Sequence, residues 1–182
     1  MLIPGQKVPD IDLPLTIQAR FELAKQSPEN FTMLVFYRGK HCPICKRYLE
    51  ELGSKVEKFT NLGVSPFAIS MDSKERAMVS HEEWDTQNLP LVYDLSEDQA
   101  REWGLFISEK RPDSDEPERF SEPGLFLIKP DGTLYEGHEW PLPDDVFSHP
   151  RSSGTFTKFL RDYVCDRKVV SWTEAMAKCS LY

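Results

Sequence analysis

Thr32-Met33-Leu34-Val35-Phe36-Tyr37-Arg38-Gly39-Lys40-His41-Cys42-Pro43-Ile44-Cys45 is an apolar run, a short basic approach and a pair of nearby cysteines. The run from Thr32 to Tyr37 reads as a buried strand. Beyond Cys45, residues Leu49, Leu52, Val56 and Phe59 recur at helical spacing and Gly63 closes the segment, which predicts one long amphipathic helix. Two cysteines between a strand and a helix can cycle between dithiol and disulfide. Pro43 suits the first helical position, where its missing N–H costs nothing. Cys42 then sits at the helix N-terminus, where first-turn N–H groups and the helix dipole stabilise a thiolate. Cys45, one turn on, is expected to be more buried and to serve as the resolving thiol.

The charges around the pair point the same way. Arg38, Lys40, Lys46 and Arg47 bracket it with no acid between them, and His41 would add charge when protonated. Such a cluster is expected to lower the Cys42 pKa below the free value of about 8.5. The plainer reading is a solvated basic face. Zinc is the rival for a Cys-x-x-Cys, but the two other cysteines, Cys165 and Cys179, are too far apart to form a second close pair. No metal and no other cofactor is therefore expected. Cys165 and Cys179 read first as inert thiols, and otherwise as distal resolving thiols or partners of each other.

The 182 residues suit one domain with a sizeable core. A formal charge of −8 argues against a nucleic-acid or anionic-membrane binder. No stretch approaches the roughly 18 consecutive apolar residues of a membrane span. The N-terminus has no basic region followed by an apolar one, so no signal peptide is expected and the default location is cytoplasmic. In that compartment the cysteines read as thiols or transient disulfides.

Further strands are predicted at Val64–Met71, Leu91–Tyr93, Leu125–Lys129 and Thr133–Glu136, the last two forming a hairpin through Pro130-Asp131-Gly132. Helical patterns run from Lys74 to Gln87, from Ser96 to Trp103, and through Phe156, Phe159, Leu160, Tyr163 and Val164. The alternation implies an α/β fold with helices on both faces of a central sheet. Residues 109–123, densely charged, and 137–154, rich in Pro, His and Ser, read as surface loops. The expected division is a domain over 1–165 and a tail over 166–182. Ser171 to Glu174 forms a capping box that starts a short tail helix. That helix either docks on the domain or serves as an arm exchanged in a homodimer or bound to a partner.

In this order the segments resemble the peroxiredoxin-like (AhpC/TSA, or redoxin) branch of the thioredoxin superfamily. The resemblance covers roughly residues 5–165. It is carried by Gly5 to Leu13, by Phe36-Tyr37-Arg38-Gly39 before Cys42, by Ile69-Ser70-Met71-Asp72, by Leu91-Val92-Tyr93-Asp94 and by Trp103-Gly104-Leu105. It implies a thioredoxin-like fold, with a mixed sheet flanked by helices. It also implies that Pro123, before Gly124-Leu125-Phe126-Leu127-Ile128, is a cis-proline facing the dithiol.

The departures matter as much. Peroxiredoxins place a Thr or Ser three residues before the reactive cysteine to hold the peroxide, and here that residue is Gly39. They carry an Arg before the late core strand, where this chain has Pro123; Arg38 and Arg119 are substitutes that do not match in position. Thioredoxin's buried acid before its first cysteine is replaced by Phe36. The Cys-Pro-x-Cys form itself resembles glutaredoxins and other disulfide oxidoreductases.

Three functions follow. The first is a thiol–disulfide oxidoreductase with Cys42 as nucleophile and Cys45 resolving. The second is a thiol peroxidase acting on hydrogen peroxide or alkyl hydroperoxides through a Cys42 sulfenic acid. The third is a redox-sensing or partner-binding domain without turnover. Either enzyme would draw electrons from a thiol donor of the thioredoxin, glutaredoxin or glutathione type. Arg38, Gly39, Lys40, His41, Pro43 and Pro123 are the expected supports of the site.

Overall fold

A computed structural model describes residues 2–139, with side chains as far as Tyr135. Five strands form the central sheet in the order β5-β4-β3-β8-β9. They are β3 (Phe31–Phe36), β4 (Val64–Ile69), β5 (Leu91–Val92), β8 (Gly124–Ile128) and β9 (Leu134–Glu139). β3 lies in the middle. It runs parallel to β4, with Phe31 opposite Val64 and Phe36 opposite Ile69, and antiparallel to β8, with Phe36 opposite Gly124. The mixed sheet expected from the sequence is therefore present.

Two parallel connections each need a crossover, and helices supply them. α1 (Pro43–Gly53) and α2 (Val56–Asn61) join β3 to β4, and α3 (Lys74–Glu83) joins β4 to β5. α4 (Glu97–Glu102) follows β5, its start fixed by a capping box between Ser96 and Gln99.

β3 shows how the sheet is covered. Met33, Leu34, Val35 and Phe36 are all essentially inaccessible, so both faces are packed. Leu34 and Phe36 point into the main core with Ile11, Leu13, Phe21, Trp103 and Phe126. Trp103 packs on Phe36 at 5.4 Å and edge-on to Phe126 at 5.1 Å. Each such contact adds about 0.5–1.5 kcal/mol beyond area burial. Alternation sends Met33, Val35 and Tyr37 to the other face, where Tyr37 meets Trp84 at the end of α3.

The structure departs from the sequence expectations in several places. The long helix after Cys45 is two helices. Gly53 passes so close to the Thr86 carbonyl that no side chain fits, Ser54 Oγ donates to the Glu51 carbonyl, and Lys55 leaves helical geometry. The Pro-punctuated N-terminal region contains a small hairpin of β1 (Asp12–Pro14) and β2 (Arg20–Glu22). The charged segment read as a loop forms a second hairpin, β6 (Ile107–Glu109) with β7 (Arg119–Ser121).

β9 also extends through residues 137–139, which the sequence assigned to a loop. No helix among the described residues is long and apolar enough to cross a membrane. The expected helix around Phe156, the tail helix, Cys165, Cys179 and the 165/166 boundary lie outside the described residues.

Candidate active site

Beyond Phe36 the chain stays in register for one more residue, Tyr37 N–H donating to the Ile69 carbonyl at 2.9 Å. Gly39 then adopts φ +118°, a left-handed conformation that side chains oppose. The turn closes when Cys42 N–H donates to the Gly39 carbonyl at 3.1 Å. Cys42 is the N-cap of α1, with Pro43 in its first turn and no acid there. Its sulfur accepts from Cys45 N–H at 3.2 Å.

Cys42 and Cys45 form a disulfide with their Cα atoms 5.2 Å apart, within the usual range for such bonds. Cys42 is 5% exposed and Cys45 is fully buried. Pro43 is exposed beside them.

The basic patch is not what the sequence suggests. Folding brings carboxylates to it from distant segments. Arg38 lies 3.4 Å from Glu116 and 3.6 Å from Glu122, and its guanidinium covers the Phe120 ring at 4.7 Å. Lys46 reaches the Glu83 carbonyl and lies 3.9 Å from Glu50. Asp72, just past β4, accepts from Lys40 N–H at 2.7 Å and from Arg76 Nε at 3.0 Å. Burial raises its pKa, opposed by those two donors. Arg76 also donates to the Asp115 carbonyl in the β6–β7 hairpin.

His41 does not add charge. Burial, together with Arg38 and Arg76, pushes its pKa down to about 4, so it is neutral near pH 7. Its ring stacks edge-on to Phe120 at 4.7 Å and its Nδ1 lies 3.4 Å from Arg76. Glu116 behaves oppositely. Burial opposes its charge, but hydrogen bonds from Arg111 and Ser114 hold its pKa down to about 2.

Pro123 is buried at the same end of the sheet, one residue before Gly124, which pairs with Phe36. The expectation of a cis bond is not met. No described peptide bond is cis, and the chain passes from β7 into β8 through the trans form that X–Pro bonds ordinarily prefer. Arg119 is not brought to the dithiol; its guanidinium binds Glu97 and Glu109.

Sequence reading missed Asp72, Arg76, Glu116, Phe120 and Glu122. One signal was available for Asp72. It follows a strand parallel to β3, and the carboxyl ends of neighbouring parallel strands share a crevice.

The sequence model of the AhpC/TSA family matches residues 4–136. The chain belongs to the AhpC/TSA family. No curated protein sequence matches this AhpC/TSA chain. Its fold is similar to a cysteine mutant of PrxQ from Xylella fastidiosa, with TM-score 0.66 and 17% identity over 90% of this chain and 98% of that one. Peroxiredoxin Q from Xanthomonas campestris gives 0.65 and 16%, covering 91% and 99%. A putative thiol:disulfide interchange protein DsbE from Chlorobium tepidum gives 0.60 and 18%, covering 86% and 99%. This AhpC/TSA member thus has the fold of peroxiredoxins and thioredoxin-like proteins, with a cysteine pair at disulfide distance.

Proposed function

We propose that this protein is a thiol–disulfide oxidoreductase. The observation that carries the reading is the closed Cys42–Cys45 pair within the first turn of α1, its outer sulfur at the N-cap and its inner one buried. In the reduced state the Cys42 thiolate attacks one sulfur of a substrate disulfide. That S–S bond breaks, and the leaving thiolate takes a proton from solvent. Cys45 then loses its proton and attacks Cys42 Sγ, releasing the second substrate thiolate. Two electrons pass to the substrate and the enzyme is left as the disulfide. A thiol donor of the thioredoxin, glutaredoxin or glutathione class restores the dithiol by the reverse exchange. We place this chemistry in the cytoplasm.

A thiol peroxidase is the second reading, favoured by the likeness to peroxiredoxins of the Q type. Against it stands Gly39, which offers no hydroxyl to hold a peroxide.

Stopped-flow oxidation of the reduced protein separates the two. Fast reaction with a disulfide and negligible peroxide consumption, both lost in Cys42→Ser, supports the first reading. Rapid Cys42-dependent peroxide consumption with slow disulfide exchange overturns it.

A further inference from the structure

Asp72 has no role in the exchange as written, yet its side chain is only 1% exposed and lies against the turn that precedes Cys42. A buried carboxylate is costly unless hydrogen-bonded, so its partners are informative. One oxygen accepts from Lys40 N–H at 2.7 Å, and the other from Arg76 Nε at 3.0 Å.

The Lys40 N–H belongs to the same peptide unit as the Gly39 carbonyl. That carbonyl accepts from Cys42 N–H at 3.1 Å. A single peptide plane is therefore held on one side by Asp72 and on the other holds the nucleophile's own amide. The same carboxylate takes the space of a side chain at position 39. An ideal Cβ on Gly39 would lie 2.6 Å from Asp72 Oδ1 and 2.8 Å from Oδ2. A side chain at 39 and the carboxylate exclude each other.

We propose that Asp72 is the positioning residue that orients Cys42 for attack, with its carboxylate fixing the turn that a side chain at position 39 would otherwise occupy. This deepens the disulfide-exchange reading and rests on it. Asp72 does not touch the reacting sulfurs; it acts through the Gly39–Lys40 peptide. It follows that a hydroxyl side chain of the peroxide-holding kind enters position 39 only if the Asp72 carboxylate moves from its present place.

The test compares Asp72→Asn, which keeps an acceptor for Lys40 N–H, with Asp72→Ala, which does not. Oxidation of the reduced proteins by hydroxyethyl disulfide and by hydrogen peroxide is followed by stopped flow, with circular dichroism as a fold control. Asp72→Ala is expected to slow the maximal disulfide rate about tenfold or more with little change in half-saturation, and Asp72→Asn to remain within about threefold of wild type, since a misplacement of about 1 Å can cost about a hundredfold. Equal rates for Ala and wild type, or equal loss in Asn and Ala, would overturn the proposal.

If Asp72→Ala does not fold, Gly39→Ala with Asp72 intact decides, because a Cβ there falls 2.6 Å from Asp72 Oδ1 and displaces the carboxylate. It is expected to slow the disulfide rate about tenfold with the circular dichroism unchanged, and a rate equal to wild type would overturn the proposal. A wild-type protein that consumed peroxide quickly and ignored the disulfide would sink the functional reading. The Asn–Ala contrast, read on peroxide, would then still score Asp72.

Discussion

At the scale of the residue, Cys42 carries two electrostatic influences that the fold separates. The helix N-terminus acts on it through Cys45 N–H, while the neighbouring cations are offset by Asp72, Glu116 and Glu122. Helix termini favour a nearby thiolate by about 0.3–2 kcal/mol, which lowers a thiol pKa from its free value near 8.5. Absorbance titration of the thiolate in Cys45→Ser should find the Cys42 pKa lowered. No fall would mean that burial outweighs the helix. The division of roles has a separate test. Cys45→Ser should accumulate a mixed disulfide with substrate, visible by mass spectrometry, whereas Cys42→Ser should form none. A stable adduct on Cys45 in Cys42→Ser would reverse the assignment.

At the scale of the element, the β6–β7 hairpin connects to the approach to Cys42 through Glu116. This carboxylate is 2% exposed and takes hydrogen bonds from Arg111 and Ser114 while facing Arg38. Glu116→Gln should destabilise the protein by about 1.5–3 kcal/mol at pH 7, the usual worth of hydrogen bonds to a charged group. It should also speed proteolysis between residues 110 and 118. Unchanged stability and unchanged cleavage would show that the hairpin does not depend on the pair. The hairpin was opaque in the sequence because its strands are short and charged, and nothing local distinguishes Glu116 from its neighbours. The strand, dithiol and α1 were legible because their signals are local: an apolar run, a proline at the helix start and a periodic stripe. That stripe also misled, since Leu49, Leu52, Val56 and Phe59 keep helical spacing across a break at Ser54–Lys55, beside which Gly53 packs against the distant Thr86 carbonyl. The basic patch failed for the same reason. Its four cations lie close together in sequence, but the acids Asp72, Glu116 and Glu122 come from just past β4, from the 110–118 turn and from just past β7.

At the scale of the whole molecule, these buried charges set how stability depends on pH. His41 titrates near 6.5 when unfolded and near 4 when folded, so the unfolded chain binds a proton that the folded one refuses. Its contribution is fully present above pH 6.5 and is lost as pH falls towards 4. Glu116 titrates near 4.5 unfolded and near 2 folded, so its contribution is present above 4.5 and lost as pH falls towards 2. Asp72 works in the opposite sense. Its folded pKa lies above 3.8, so its contribution is present below 3.8 and is lost as pH rises through the folded value. Thermal unfolding of the oxidised protein should therefore show Tm falling between pH 6.5 and 4, before most carboxylates titrate. His41→Phe should flatten that upper limb and leave the decline below pH 4.5 in place. Glu116→Gln should do the reverse. An upper limb that persists in His41→Phe would mean that the imidazole is not held neutral against Phe120, Arg38 and Arg76. The site would then carry positive charge next to Cys42 in the range where the sequence first placed it.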